Sequence, residues 1–355
     1  MRRPARGRFA PPPGGYTAER MRARVVVVTG ASAGVGRATA RAFAMRGAKV
    51  GLIARGHEGL ENAGREVEQL GGEASVCVAD VADAEAVEAA ATSIEAELGP
   101  IDVWVNCAMA AVLAPVWETT ADEFRRATEV TYLGCVHGTL AALDRMRPRD
   151  RGVIVQVGSA LAYRAIPLQA SYCAAKFALR GFTDSLRCEL LAERSGVKLT
   201  MVQLPGLNTP QFGQVRTTLR RHPQPVPPIW QPEVAADAIV FAAEHPRREL
   251  WVGHNTVALI AANALAPWVG DRYLARTNIE AQQTDIPIDP ARPDHLHAPL
   301  PGDRGAHGRF DERAKPRSLQ LALTRRKRPP LRRPRPPPVP ADVWIPAPAL
   351  TGGLP

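Results

Sequence analysis

The sequence predicts an α/β fold, a doubly wound parallel sheet of about seven strands in one domain with helices on both faces. Three observations carry that prediction. Short apolar runs lack polar alternation, segments of helical spacing separate them, and a glycine cluster closes the first run. Runs apolar throughout suit strands buried on both faces of a parallel sheet. Regular alternation with helix-length segments is the pattern of right-handed crossovers.

Residues 24–29 (RVVVVT) are β-branched and form the first expected strand. Strands follow over 49–54, 74–78, 101–106, 152–157, 198–204 and 249–252. Helical spacing fills 36–46, 57–70, 84–98, 120–146, 171–194 and 233–244. The stretch 256–270 is the longest apolar one, contains Asn263 and Pro267, and falls short of the roughly 20 residues that span a bilayer. It reads as a buried or lid helix, with an interfacial membrane contact as the alternative.

The chain has 355 residues and a formal charge of +10, carried by its ends. Six arginines oppose one glutamate in residues 1–22, and thirteen Lys/Arg oppose seven Asp/Glu in residues 284–355. The 261 residues between are nearly neutral, so the charge gives no reason to read the whole chain as a nucleic-acid binder. Segments 1–22 and 284–355 are expected to be disordered, the second Pro/Arg-rich with polyproline character. Its alternatives are a contact with nucleic acid, an anionic membrane, or a proline-reading partner. The folded domain is then 23–283. Five cysteines without CxxC spacing indicate neither a zinc site nor a disulfide framework. With no apolar segment of a secretory signal near the start, a reducing, cytoplasmic setting is expected.

The first strand runs into Thr29-Gly30-Ala31-Ser32-Ala33-Gly34-Val35-Gly36 and then an Ala-rich helix. Glycines at that point let the backbone turn sharply and approach a pyrophosphate beside the helix N-terminus, the Rossmann-like arrangement. The second strand ends on Arg55, where a carboxylate would accept ribose hydroxyls and a guanidinium suits a 2′-phosphate. NADP(H) is therefore expected over NAD(H), which is not excluded. Asp80 and Val81 end the third strand and Asn106 with Ala108 the fourth, both beside the same crevice.

Ser159 ends the fifth strand; Tyr172 and Lys176 follow, four residues apart on one helix face. A free phenol has a pKa near 10, too high for efficient proton exchange at neutral pH, and a fixed positive charge nearby lowers it. Ser159 is placed to hold a substrate oxygen while Tyr172 exchanges its proton.

Together these motifs resemble the short-chain dehydrogenase/reductase family over about residues 23–283. The resemblance rests on TGxxxGxG (Thr29 to Gly36), Asp80-Val81, Ser159, YxxxK (Tyr172 to Lys176), and Pro205-Gly206 followed by Asn208-Thr209-Pro210. It implies hydride transfer between nicotinamide and a carbonyl or alcohol carbon, with Tyr172 as acid/base, Ser159 as donor and Lys176 on the nicotinamide ribose. It further implies a nicotinamide-side loop at Pro205, Gly206, Asn208 and Thr209, followed by a mobile lid, and assembly into dimers or tetramers. Two positions depart from the family: Met109 replaces the last glycine of Asn-Asn-Ala-Gly, and Thr131 stands where a catalytic Asn is expected. The alternative class is therefore a protein of this fold that binds NADP(H) without turnover.

The loop after Pro205 holds Phe212, Val215, Leu219, Ile229 and Trp230 with Arg216, Arg220 and Arg221. An apolar lining suits an apolar carbonyl compound, and the arginines are expected to meet solvent. No metal site is expected, nor any need for nucleic acid.

Overall fold

The computed structural model describes residues 24–289 and 291–326. The N-terminal segment 1–22 and the part of the tail beyond 326 lie outside the described residues. The chain opens with β1 (Val25–Thr29), α1 (Gly34–Ala44), β2 (Lys49–Ala54), α2 (His57–Gln69), β3 (Glu73–Val78), α3 (Ala84–Leu98) and β4 (Ile101–Asn106). A short β5 (Val112–Leu113) and α4 (Ala121–Thr128) follow, then a π turn (Glu129–Leu133), α5 (Gly134–Met146), β6 (Gly152–Ser159), α6 (Ala170–Ala192) and β7 (Val197–Leu204). The remainder comprises α7 (Gln211–Gln214), β8 (Arg216–Thr217), β9 (Arg221–Pro223), β10 (Ile229–Trp230), α8 (Pro232–Glu244), β11 (Glu249–Trp251), α9 (His254–Leu265), α10 (Pro267–Ala281), β12 (Gln283–Pro287), β13 (Ala314–Lys315) and α11 (Leu319–Arg326).

Seven strands form one parallel sheet in the order β11-β7-β6-β4-β1-β2-β3. The chain moves outward from β1 through β2 to β3 and returns to the other side of β1 at β4. The crevice between the carboxyl ends of β1 and β4 is thus the topological switch point, where open α/β sheets bind ligands.

All of β1 is buried because each face meets a different helical layer. Val26 and Val28 pack in the cluster that holds Phe43 of α1, Leu60 of α2 and Ile239 of α8. Val25 and Val27 pack with Ile94 of α3, Met146 of α5 and Leu190 of α6. Alternation of side chains along a strand produces that division. An unbroken run of valines satisfies both sides at once, each buried side chain contributing about 1.5–3 kcal/mol.

The single helix expected over 120–146 is three consecutive segments: α4, the π turn and α5. Thr120 starts α4 with a reciprocal cap, its hydroxyl accepting from the Glu123 amide (3.2 Å) while the Glu123 carboxylate accepts from the Thr120 amide (2.8 Å). The apolar stretch 256–270 breaks at Ala266–Pro267 into the hairpin of α9 and α10. Among the described residues, no helix is long and apolar enough to cross a membrane.

The boundary at 284 moves. Residues 291–326 cross the domain as a strap, with β13 pairing to β10 and Leu296, Ala306, Phe310 and Leu321 buried. This ordering has no amphipathic period behind it. The strap is held by polar contacts to residues far away in sequence, which replace the self-contained periodicity of a helix or strand.

Candidate active site

The turn after β1 is shaped by close backbone approach. A Cβ on Gly36 would lie 2.2 Å from the Gly30 carbonyl oxygen, and one on Gly30, at φ +69°, would lie 2.8 Å from Ala108 Cα. Only glycine permits this packing. The turn delivers the N-terminus of α1 to a cavity of about 850 Å³ at the switch point. The Gly34 amide donates to Gly305 of the strap (3.0 Å); among the described residues, the Val35 and Gly36 amides donate to no acceptor. These first-turn donors, with the helix dipole behind them, suit a pyrophosphate. The glycine cradle, the open amides and the cavity size all fit a dinucleotide.

Gly30, Ser32, Ala33, Gly34, Val35 and Gly36 line this cavity at one end. Arg55, Asp80, Val81 and Ala108 adjoin them, and Ser159, Tyr172, Lys176, Pro205, Gly206 and Thr209 line the remainder. Residues separated by almost 180 positions are thereby brought to one wall.

Lys176 is buried at 2% exposure and donates from Nζ to the Val157 carbonyl (2.7 Å), with Nζ 5.6 Å from the centre of the Tyr172 ring. The helix spacing sets a fixed cation beside the phenol. The Ser159 hydroxyl accepts from the Leu161 amide (3.1 Å). That contact uses an acceptor lone pair and leaves the O–H proton to donate into the cavity. Cys107 also lines the cavity, but burial pushes its thiol up to about 12, despite the Lys176 charge, and keeps it protonated.

Three expected site residues are not brought to the cavity. Asn106 is buried beneath the sheet end, its Oδ1 accepting from Trp104 Nε1 (2.8 Å) and its Nδ2 donating to Cys135 O, Thr139 Oγ1 and Gln156 Oε1. Those partners lie on β4, α5 and β6, so the amide ties the sheet to the helix. Asn208 Oδ1 accepts from the Phe310 amide (3.0 Å) while Nδ2 donates to Gln231 and Asp311, which makes it a peg for the strap. Thr131, in the π turn, accepts from the Ala110 amide (2.8 Å) and donates to the Ala110 carbonyl (2.7 Å). With its hydroxyl occupied in both roles and fully buried, Thr131 holds the loop after β4.

Arg55 is at the cavity but is also engaged elsewhere. Its guanidinium donates to the carbonyls of His295 (2.6 Å), His297 (3.0 Å) and Leu296 (3.3 Å), all on the strap. Asp80 pairs with Arg126 and lies 3.9 Å from Arg55. Of the loop arginines, Arg220 is exposed as expected, whereas Arg216 and Arg221, both part-exposed, pair with Glu123 (2.6 Å) and Glu280 (2.5 Å). Val215, Ile229 and Trp230 are core residues, and Leu219 packs against a small buried cluster; Phe212 is the member of that loop set on the cavity.

Leu259, Tyr273, Leu274 and Thr277 of α9 and α10 line the distal part of the cavity with Leu161 and Ile166; from sequence 256–270 reads as a buried or lid helix, but none of these residues is singled out as lining a site. The sequence reading missed the strap. Helical spacing within 256–281 was the available signal for the distal wall; the strap has none.

The chain matches the family model described as short chain dehydrogenase over residues 24–220. It is 32% identical over 313 residues to an uncharacterized oxidoreductase, YxnA, of Bacillus subtilis, covering 88% of this chain and 87% of that one. It is 32% identical over 257 residues to a putative oxidoreductase, SadH, of Mycobacterium tuberculosis, covering 70% of this chain and 92% of the relative. Among solved structures, an alcohol dehydrogenase from the archaeon Thermococcus sibiricus, complexed with 5-hydroxy-NADP, is similar at a TM-score of 0.57. The two share 28% identity, over 64% of this chain and 95% of that one.

Proposed function

The chain belongs to the short-chain dehydrogenase family of oxidoreductases, and on that premise we propose that it is an NADP(H)-dependent enzyme interconverting a carbonyl and an alcohol on a largely apolar small molecule. The observation that carries this reading is the convergence of Ser159, Tyr172 and Lys176 on the cavity that the glycine turn opens into.

A nicotinamide cofactor held there supplies or accepts the hydride. The Val35 and Gly36 amides would hold its pyrophosphate, and Pro205, Gly206 and Thr209 would border its nicotinamide side. Ser159 Oγ donates to the substrate oxygen. Tyr172 Oη gives its proton to that oxygen in reduction and takes it back in oxidation. Lys176, anchored on Val157 O, keeps a positive charge beside the phenol and favours the phenolate left after proton transfer. The Thr131 hydroxyl, bonded to both polar backbone atoms of Ala110, supports the loop after β4.

Arg55, with the structural neighbour that carried 5-hydroxy-NADP, supports the preference for the phosphorylated cofactor. An apolar substrate is favoured because most of the polar side chains at the distal end are engaged with one another, Gln169 donating to Gln282 (2.6 Å), which donates to Asn278 (2.8 Å), while the buried Thr256 hydroxyl, without a partner among the described residues, is left to meet a single polar group. What remains on that wall for a substrate is chiefly Leu161, Ile166, Phe212, Leu259 and Leu274. Five free thiols fit a reducing, cytoplasmic setting. Leu140 and Phe177, exposed on α5 and α6, favour a homo-oligomer formed through those helices.

The test is oxidation of NADPH by the full-length protein against a panel of apolar aldehydes and ketones, beside Tyr172→Phe. Turnover that the substitution abolishes supports the enzyme. Tight NADPH binding without turnover of any carbonyl supports the non-catalytic binder instead.

A further inference from the structure

We infer that residues 295–305 are a clasp belonging to the cofactor site, closing over the adenosine and pyrophosphate positions so that the cofactor enters and leaves only when the clasp opens. The inference rests on the nicotinamide-cofactor reading above. It concerns a segment outside the family match, which ends at residue 220.

The clasp follows the path that reading gives the cofactor. At the end of β2, His295, Leu296 and His297 present their carbonyls to Arg55, and Arg126 Nε donates to Leu296 O as well (3.2 Å). Over the start of α2, Pro299 lies against Gly56, and the Gly302 amide donates to Glu58 (3.0 Å). Over the start of α1, Asp303 pairs with Arg37 and Gly305 O accepts from the Gly34 amide. Beyond the clasp, Gly308 and Phe310 reach the loop after β7, where their amides donate to Asn208 O and Oδ1 and the Phe310 ring meets Phe212 edge to face at 6.2 Å.

His295, Pro299, Leu300, Pro301, Gly302 and Arg304 line the same cavity as the glycine turn. The sheet end and the clasp are therefore two walls of one enclosure. A ligand lying along the turn has the clasp on its outer side. The contacts that hold the clasp are ion pairs and single hydrogen bonds to loop and helix-end atoms, with only a few buried apolar side chains. Such an attachment can open without unfolding the sheet.

Gly56 and Pro299 supply a direct test, because a Cβ built on Gly56 lies 3.6 Å from Pro299 Cβ, within the 3.5–4.5 Å span of about every native disulfide. Gly56 has φ −82°, a conformation open to cysteine. Full-length Gly56→Cys/Pro299→Cys is loaded with NADPH, oxidised, and chased with excess NADP⁺ while NADPH fluorescence is followed. Release is expected to slow by at least about tenfold against the same protein reduced, and Asp303→Asn, which weakens the Arg37 pair, is expected to release about tenfold faster than wild type.

Equal release from oxidised and reduced protein overturns the clasp. So does failure of the two thiols to join, which would mean the segment is not seated on Gly56. Faster and tighter binding by Asp303→Asn with unchanged release also overturns it, since the segment would then occupy the cofactor's own place. A wild-type protein that binds neither NADPH nor NADH defeats the nicotinamide reading, and the clasp with it; binding with unaltered exchange defeats the clasp alone.

Discussion

Arg37 on the first helix and Asp303, 266 positions later, face each other as a two-pronged ion pair beneath the strap. The arginine is 2% exposed and also donates to Glu66 (2.8 Å) and to the carbonyls of Ser32 and Gly59. One buried guanidinium thus joins the glycine turn, α2 and the strap. A buried cation is tolerated only when its donors are met, so the sequence position of Arg37, one residue after Gly36, couples the nucleotide turn to a segment at the far end of the chain.

That coupling has a pH window. Burial would raise the Asp303 carboxyl, but the Arg37 hydrogen bond, the Gly305 amide and the charges of Arg37 and Arg41 hold it below its ordinary value. Its contribution is complete above the unfolded value of about 3.9 and is lost as pH falls through the depressed one. His307, further along the strap, behaves oppositely: burial would lower it, but Glu233 and Asp311 raise it. Its contribution is complete below about pH 6.5 and is lost as pH rises through the raised value. Protection of amides 302–311, taken as the exchange rate relative to the intrinsic base-catalysed rate at each pH, should be greatest between about pH 4 and 6.5. The loss of protection on the alkaline side should vanish in His307→Gln.

Replacing Tyr172 by Phe removes the exchangeable proton and little else. Carbonyl reduction should fall by about 10²–10⁴-fold, with NADPH affinity changed less than about threefold. Steady-state rates and fluorescence titration on the same preparation separate the two. Similar losses in both would make Tyr172 a binding residue.

Arg55→Ala should act on two levels. Loss of the carbonyl contacts to residues 295–297 weakens both cofactors, and loss of the guanidinium weakens NADPH by about tenfold more than NADH, a difference of about 1.4 kcal/mol. Calorimetric titration with each cofactor gives the ratio. An unchanged ratio would leave Arg55 as a strap anchor only.

Gly36→Ala forces a methyl to within 2.2 Å of the Gly30 oxygen. Because that neighbour is backbone, the turn itself must open, at about 1–3 kcal/mol. A lower Tm and loss of NADPH binding are expected together. Wild-type affinity in a variant with a lowered Tm would mean the turn is not the cradle.

The sheet was legible because its strands are apolar on both faces, and a run such as that of β1 has no other stable place. The glycine turn, Ser159, Tyr172 and Lys176 were legible because spacing fixes them relative to an element end. Asn106 and Asn208 were misread for a common reason. Sequence gave their position at a strand end or loop but not their partners, and those partners, Gln156 for one and Phe310 for the other, come from distant segments. The strap was invisible for the same cause in stronger form. Its Gly- and Pro-rich stretch has no period, and contacts such as Arg55 with His295 span 240 positions.

The account stands or falls on hydride transfer from the nicotinamide to a carbonyl carbon whose oxygen Tyr172 protonates. Reduction of an apolar carbonyl with NADPH deuterated at the transferring position, followed by mass spectrometry of the alcohol, measures it directly. Wild-type protein should yield product carrying one deuterium on the carbinol carbon, and Tyr172→Phe should yield almost none while still binding the cofactor. Equal deuterium transfer by the two proteins, or cofactor binding with no labelled product from any carbonyl, would contradict it.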